Sequence, residues 1–204
     1  MADTEGPGTS ATERFKKRKA AEAASKPAVV APEQAVAEEK VSIAVGKRRT
    51  ILIAPSVMLT TKCKEVDEID DNIIALAHDM EDLLKNPPPA KVRPIGLAAP
   101  QMGESVRVIS CMLNPMAAEA ANQEIVSIVN PSVVYIKKMH LVTETCLSLP
   151  GKTYELKRGK VAKIKGMLLD GTLKVFKGHD IVAQMFQHEL DHLDGLLLDV
   201  TSKR

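Results

Sequence analysis

Tryptophan is absent from this 204-residue chain, and two tyrosines with three phenylalanines bring aromatic residues to only 2%. A core must therefore be assembled from Val, Ile, Leu, Met and Ala, the bulk of the 45% hydrophobic content. No run of about eighteen apolar residues occurs, so no membrane partner is expected. Cysteine is scarce as well. Cys63, Cys111 and Cys146 are odd in number and widely spaced, which argues against a disulfide framework and for a reducing compartment. A free thiolate is then available for other work. Charge of one sign is also lacking: residues 1–49 carry ten Lys or Arg against seven Asp or Glu, and the remainder eighteen against nineteen. A near-neutral body has no nucleic-acid footprint, and no DNA partner is expected.

What is present divides at about residue 50. Residues 1–49 are rich in Ala, Lys, Glu and Pro, with Phe15 as their one aromatic, too little apolar surface to offset the entropy of ordering. They read as a disordered tail, within which "ATERFKKRKAAEAA" has the composition of a transient helix. The basic run Arg14 to Lys19 is suited to an electrostatic contact with RNA, the ribosome included, although a solvated tail is the plainer reading. Acidic residues at Asp3, Glu5, Glu13 and Glu22 and the lack of an apolar stretch make it a poor targeting signal. A bacterial-type cytoplasm is the expected setting, with an organelle as the alternative. Residues 50–204 are long enough for one domain with one core.

Within that domain the hydrophobic period changes along the chain. Val66, Ile69, Ile73, Leu76, Met80 and Leu83 recur at helical spacing, and the prolines of "KNPPPAKVRP" stop that helix. "VRVISCML", "EIVSIVNPSVVYI" and "VAKIKGML" read as strands, the last joined to "LKVFK" by a tight turn at Asp170 and Gly171. From Gly178 to Leu193 the period is helical again, with Gly195 just beyond the end. Helix, several strands and helix predict an α+β fold: a mostly antiparallel sheet packed around a C-terminal helix, with an N-terminal amphipathic helix.

That last helix carries "QHELDHLDG". His188 and His192 are four positions apart, so both imidazoles emerge on one face and can chelate one ion. Glu189 lies about 100° round the helix, placed to take a proton from a water polarised by the ion without being a ligand itself. A solvent-facing helix that happens to contain histidines reads equally well from this pattern alone; a third ligand would decide.

Upstream lies "TETCLSLPGK", with Cys146 in its centre. "GLAAPQMG" (Gly96 to Gly103), "ETCLSLP" and "QHELDHLDG" resemble, in order and approximate spacing, the three signature segments of peptide deformylases, and "ILIAPSVML" resembles the segment that opens those domains. The resemblance covers roughly Ile51 to Val200. It implies that Cys146, His188 and His192 bind one divalent ion, with Fe(2+) expected and Zn(2+) as the alternative. A thiolate with two imidazoles leaves a fourth position open, as in catalytic metal sites. It also implies an N-formylmethionyl nascent polypeptide as substrate, Glu189 as general base and acid, and the Gln101 amide with the Leu147 N–H as oxyanion donors. Ile95 and Gly96 match positions that contact the methionine, and Met185 is suited to the same pocket or to ordinary core packing. Glu144 and Arg158 match a supporting ion pair. Cys63 and Cys111 fit small buried hydrophobes.

Two positions depart from the pattern: Pro94 and Thr145 stand where glycines are usual. Proline removes a donor and threonine excludes a glycine-only conformation, which puts rate and peptide preference in doubt. Two other functions therefore stay open. One is a metal- or peptide-binding protein without turnover. The other is a zinc metalloprotease, whose third ligand would have to be Asp194 or Asp199.

Overall fold

The computed structural model describes residues 42–45, 49–87, 93–117 and 123–203. The basic run Arg14 to Lys19 lies outside the described residues, as do Pro88 and Pro89. Strand β1 (Ser42–Val45) pairs antiparallel with β2 (Arg49–Leu52), and a single turn, α1 (Val57–Thr60), follows. β1 falls inside the stretch that composition assigns to the tail. A composition averaged over dozens of residues passes over a strand of four.

Helix α2 (Asp71–Lys85) begins later than its apolar period, because the Asp70 carboxylate accepts a hydrogen bond from the Ile73 N–H at 2.9 Å and caps it. Val66 and Ile69 precede the cap, yet both are buried in the cluster that Leu76, Met80 and Leu83 join. Periodicity there reports burial and not helix.

Five antiparallel strands form the main sheet in the order β3-β4-β5-β6-β7: β3 (Gly96–Ala98), β4 (Val108–Met112), β5 (Ile125–Glu144), β6 (Tyr154–Met167) and β7 (Leu173–His179). β5 and β6 run beyond the strands expected from sequence. β5 is shared: Ile125 to Val129 pair with β4, and from Val129 onward it pairs with β6. The register shifts around Asn130, whose φ is 49°. Its side chain accepts from the Val66 N–H at 2.8 Å and donates to the Val66 carbonyl at 2.9 Å, tying the bulge to the lead-in of α2.

Helix α3 (Asp180–Leu193) packs on β6 and β7 through Ala183, Phe186, Leu190 and Leu193, which share a cluster with Ala162, Ile164 and Phe176. Each large apolar side chain buried there contributes about 1.5–3 kcal/mol. A polar clasp fixes its position: the Gln187 amide donates to the Gly159 carbonyl at 2.9 Å and accepts from the Gly159 N–H at 2.8 Å. A short α4 (Leu198–Thr201) follows. Among the described residues no helix is long and apolar enough to cross a membrane.

Candidate metal centre

Helical spacing puts His188 and His192 of α3 one turn apart, with ring centroids 4.9 Å apart and planes at 77°. Cys146 comes from a different element. β5 ends at Glu144, and the turn after it closes through the Leu149 N–H donating to the Cys146 carbonyl at 3.0 Å. The same turn is pinned where the Ala54 N–H donates to the Ser148 carbonyl at 2.9 Å. One donor atom from each of Cys146, His188 and His192 lies within 4.8 Å of the others. Cys146 Sγ is 3.2 Å from His192 Nε2.

Behind the histidines runs a chain of charge. His188 Nδ1 is 2.8 Å from Glu144 Oε2, Arg158 holds both Glu144 oxygens at 2.9 and 3.1 Å, and Asp191 takes Arg158 Nη1 at 2.6 Å. Burial raises the Glu144 pKa, but the His188 and Arg158 contacts outweigh it and bring the group to about 2. Burial likewise opposes the Cys146 thiolate, and the charges and hydrogen bonds of His192 and His188 reverse the balance and pull its pKa well below the ordinary thiol range. A thiolate flanked by two imidazoles, one of them oriented from behind by a carboxylate, fits a divalent ion of borderline softness. His192 Nδ1 and Glu189 Oε2 are buried without a hydrogen-bond partner among the described residues.

Glu189 is 3% exposed. Burial pushes its pKa up to about 7 against the opposing pull of His188 and His192, where a carboxyl can both take and return a proton near neutrality. Gly96 makes room for it, since a Cβ there would come within 2.5 Å of Glu189 Oε1 and 2.8 Å of Met185 Cγ.

Gln101 sits in a 3-10 turn (Ala99–Met102) that follows β3, ended by Gly103 at φ 86°. Its Oε1 accepts from the Ala98 N–H at 3.0 Å, which turns its Nε2 toward Ser148 Oγ at 3.2 Å and Cys146 Sγ at 3.8 Å. A cleft of about 850 Å³ is lined by Ile95, Gly96, Gln101, Cys146, Leu147, Met185, His188 and Glu189. His192, 2% exposed, lies behind it. Ile95, Gly96, Gln101, Cys146, Leu147, Met185, His188 and Glu189 thus surround one cleft. Sequence reasoning passed over Ser148 and Asp191, although both lie inside quoted motifs. Nothing in their residue type marks the first as a partner of Gln101 or the second as a partner of Arg158.

The departures also have positions. Pro94 and Thr145 line the cleft. Thr145 is exposed, and it is not among the residues of positive φ, so its backbone asks for no glycine. Asp194 pairs with Arg107 at 2.7 Å, and neither it nor Asp199 belongs to the donor cluster. Cys63 and Cys111 are buried apolar packing, and burial raises the pKa of both.

A sequence model described as polypeptide deformylase matches residues 48–204. The peptide deformylase of Dictyoglomus thermophilum is 36% identical over 141 residues, which are 69% of this chain and 84% of that protein. The peptide deformylase of Dehalococcoides mccartyi strain CBDB1 is 37% identical over 149 residues, 73% of this chain and 83% of its own. Peptide deformylase 1B of Arabidopsis thaliana, solved with an inhibitor, superposes with a TM-score of 0.65 at 30% identity, covering 73% of this chain and 78% of the other. The Thermotoga maritima peptide deformylase gives a TM-score of 0.62 at 28% identity over 73% and 93%.

Proposed function

The chain belongs to the peptide deformylase family, and on that premise we propose that Cys146, His188 and His192 hold one divalent ion beside Glu189, which moves the proton as formyl is removed from the N-terminal formyl-methionine of newly made polypeptides. The observation that carries this reading is the convergence of Cys146 from the end of β5 with two histidines of α3 within 4.8 Å. It favours this reading over a metalloprotease, whose third ligand would follow the helix. When bound, the ion, Fe(2+) by expectation and Zn(2+) as the alternative, supplies Lewis acidity and lowers the pKa of water.

The chain's own residues do the rest. Glu144, held by Arg158, which Asp191 holds in turn, engages His188 Nδ1 and leaves Nε2 for the ion. Ile95, Gly96 and Met185 seat the methionine side chain in the cleft. The formyl carbonyl oxygen gathers charge as water adds to its carbon, and the Gln101 side-chain amide and the Leu147 backbone N–H donate to that oxygen. Glu189 takes the proton from the attacking water and delivers it to the leaving nitrogen. The C–N bond breaks, and formate and a free α-amino group result.

Protein purified without oxygen and assayed for formate release from formyl-Met-Ala-Ser, with metal content measured on the same sample, tests the reading. Formate release that follows metal content, with acetyl-Met-Ala-Ser and casein untouched, is expected. A fully metallated protein that releases no formate would be a binding protein instead.

Outside the site, the boundary at residue 50 between tail and catalytic domain rests on composition, and ribosomal contact through Arg14 to Lys19 rests on charge. A bacterial-type cytoplasm is the setting proposed.

A further inference from the structure

The near-neutral total of the domain conceals a lopsided distribution. Residues 132–179, which span the second part of β5, all of β6 and all of β7, carry ten Lys or Arg against three Asp or Glu, whereas the rest of 50–204 carries eight against sixteen. Strand alternation then sorts these charges by face. Ala162, Ile164 and Phe176 are buried against Phe186 of α3, so Lys163, Lys165 and Lys177, each next to one of them, project from the opposite side. The register sets Tyr135, Lys163 and Lys177 in one row across three strands, with Lys137 and Val161 in the next row and Lys165 in the one before. Lys137 Nζ and Lys163 Nζ stand 4.7 and 5.9 Å from the centre of the Tyr135 ring. Among the described residues none of these four lysines has a carboxylate within ion-pair distance, while Lys160 has Asp180 at 3.5 Å.

Strands about 4.8 Å apart, with outward residues repeating about every 6.7 Å, make this face a lattice of unneutralised ammonium groups. Its complement is a polyanion with regularly spaced charge. We propose that the outward face of β5, β6 and β7 docks the enzyme onto RNA by contacts to backbone phosphates, without reading bases. An anionic lipid surface shares the charge but fits less well. The helix packed on these strands lies on their other side, so no amphipathic helix is presented for insertion, and of the exposed apolar side chains Met139 and Leu141 lie together on β5 while Val175 sits apart on β7, opposite Lys165. The choice of RNA rests on the deformylase reading, because newly made formylated chains are held by an RNA-rich particle. Thr143 lines the cleft and lies on the same strand as Lys137, so the basic face starts beside the site and runs away from it.

The test uses the full chain with Arg14, Lys16, Lys17, Arg18 and Lys19 replaced by alanine, so that the tail cannot answer for the sheet. Binding to a fluorescently labelled RNA duplex is followed as salt rises. Four neutralised phosphates require a log–log slope of about −3 to −4. Lys137→Glu, Lys163→Glu, Lys165→Glu and Lys177→Glu in one protein should weaken binding by about thirtyfold or more and leave formate release from formyl-Met-Ala-Ser unchanged. If that variant fails to fold, the four Lys→Gln changes are read in its place. Unchanged RNA affinity in the folded variant, no binding by the tail-neutral chain, or binding to phosphatidylserine vesicles but not to RNA would each overturn the proposal. RNA binding that meets these expectations without any formate release would sink the deformylase reading and leave the docking face standing.

Discussion

Gly96 has no side chain because the carboxylate of Glu189 occupies the space where one would go. Gly96→Ala should therefore displace Glu189 or Met185. The expected result is a fall in kcat/KM of about 10²-fold or more, about 2.7 kcal/mol of barrier, with metal content unchanged because no ligand moves. Glu189→Gln separates the same roles from the other side. It should keep the ion and lose about 10²–10⁴-fold in turnover, whereas His188→Ala should lose both; a metal-free Gln variant, or one nearly as active as the parent, would show that Glu189 has been misassigned. Thr145→Gly is expected to change activity by less than about a hundredfold, since the threonine is exposed and its backbone is not left-handed.

At the scale of elements, the site depends on how α3 is held against the β5–β6 hairpin. Gln187 makes two of those bonds with a single glycine. Gln187→Leu would leave the Gly159 N–H and carbonyl buried without partners, at a cost of about 1–3 kcal/mol for each such group, measurable as a lower denaturant midpoint. The second tie is electrostatic. Because the Glu144 pKa falls from 4.5 to about 2 on folding, its ion pairs stabilise the fold fully above the unfolded value, and that stability is lost as pH falls toward the folded one. Melting temperature should drop across that acid window in the parent and stay flatter in Glu144→Gln. Not all of these elements can be read in the sequence. Spacing puts His188 and His192 on one face of a helix but leaves a plain solvent-facing helix open, and it is the agreement of three motifs in order, Cys146 included, that makes the site legible. β5 beyond Ile136 was not, since Lys137, Lys138 and His140 break the apolar pattern and only pairing with β6 extends it. β3 was not either: Gly96 to Ala98 have no strand preference of their own and become a strand by pairing with Cys111, Ser110 and Ile109.

For the whole molecule, the tail and the strands beside it make separable contributions. Removing residues 1–41 should leave the melting temperature and activity on a short formyl peptide unchanged, because so little apolar content contributes few core contacts. A large drop would mean that the tail packs on the domain. One further consequence follows from β5. Past Val129 it pairs with β6 on one side only, and no strand covers its other edge among the described residues. Val133, Val134, Ile136, Met139 and Leu141 are all exposed along it, so a second chain laid alongside would find open backbone donors and a greasy margin. Lys137 and Lys138 in the middle keep copies apart by repulsion. The colloidal behaviour of this protein should therefore hinge on two residues: concentrated solutions should stay clear at low salt, and Lys137→Ala with Lys138→Ala should make light scattering rise with concentration and with time.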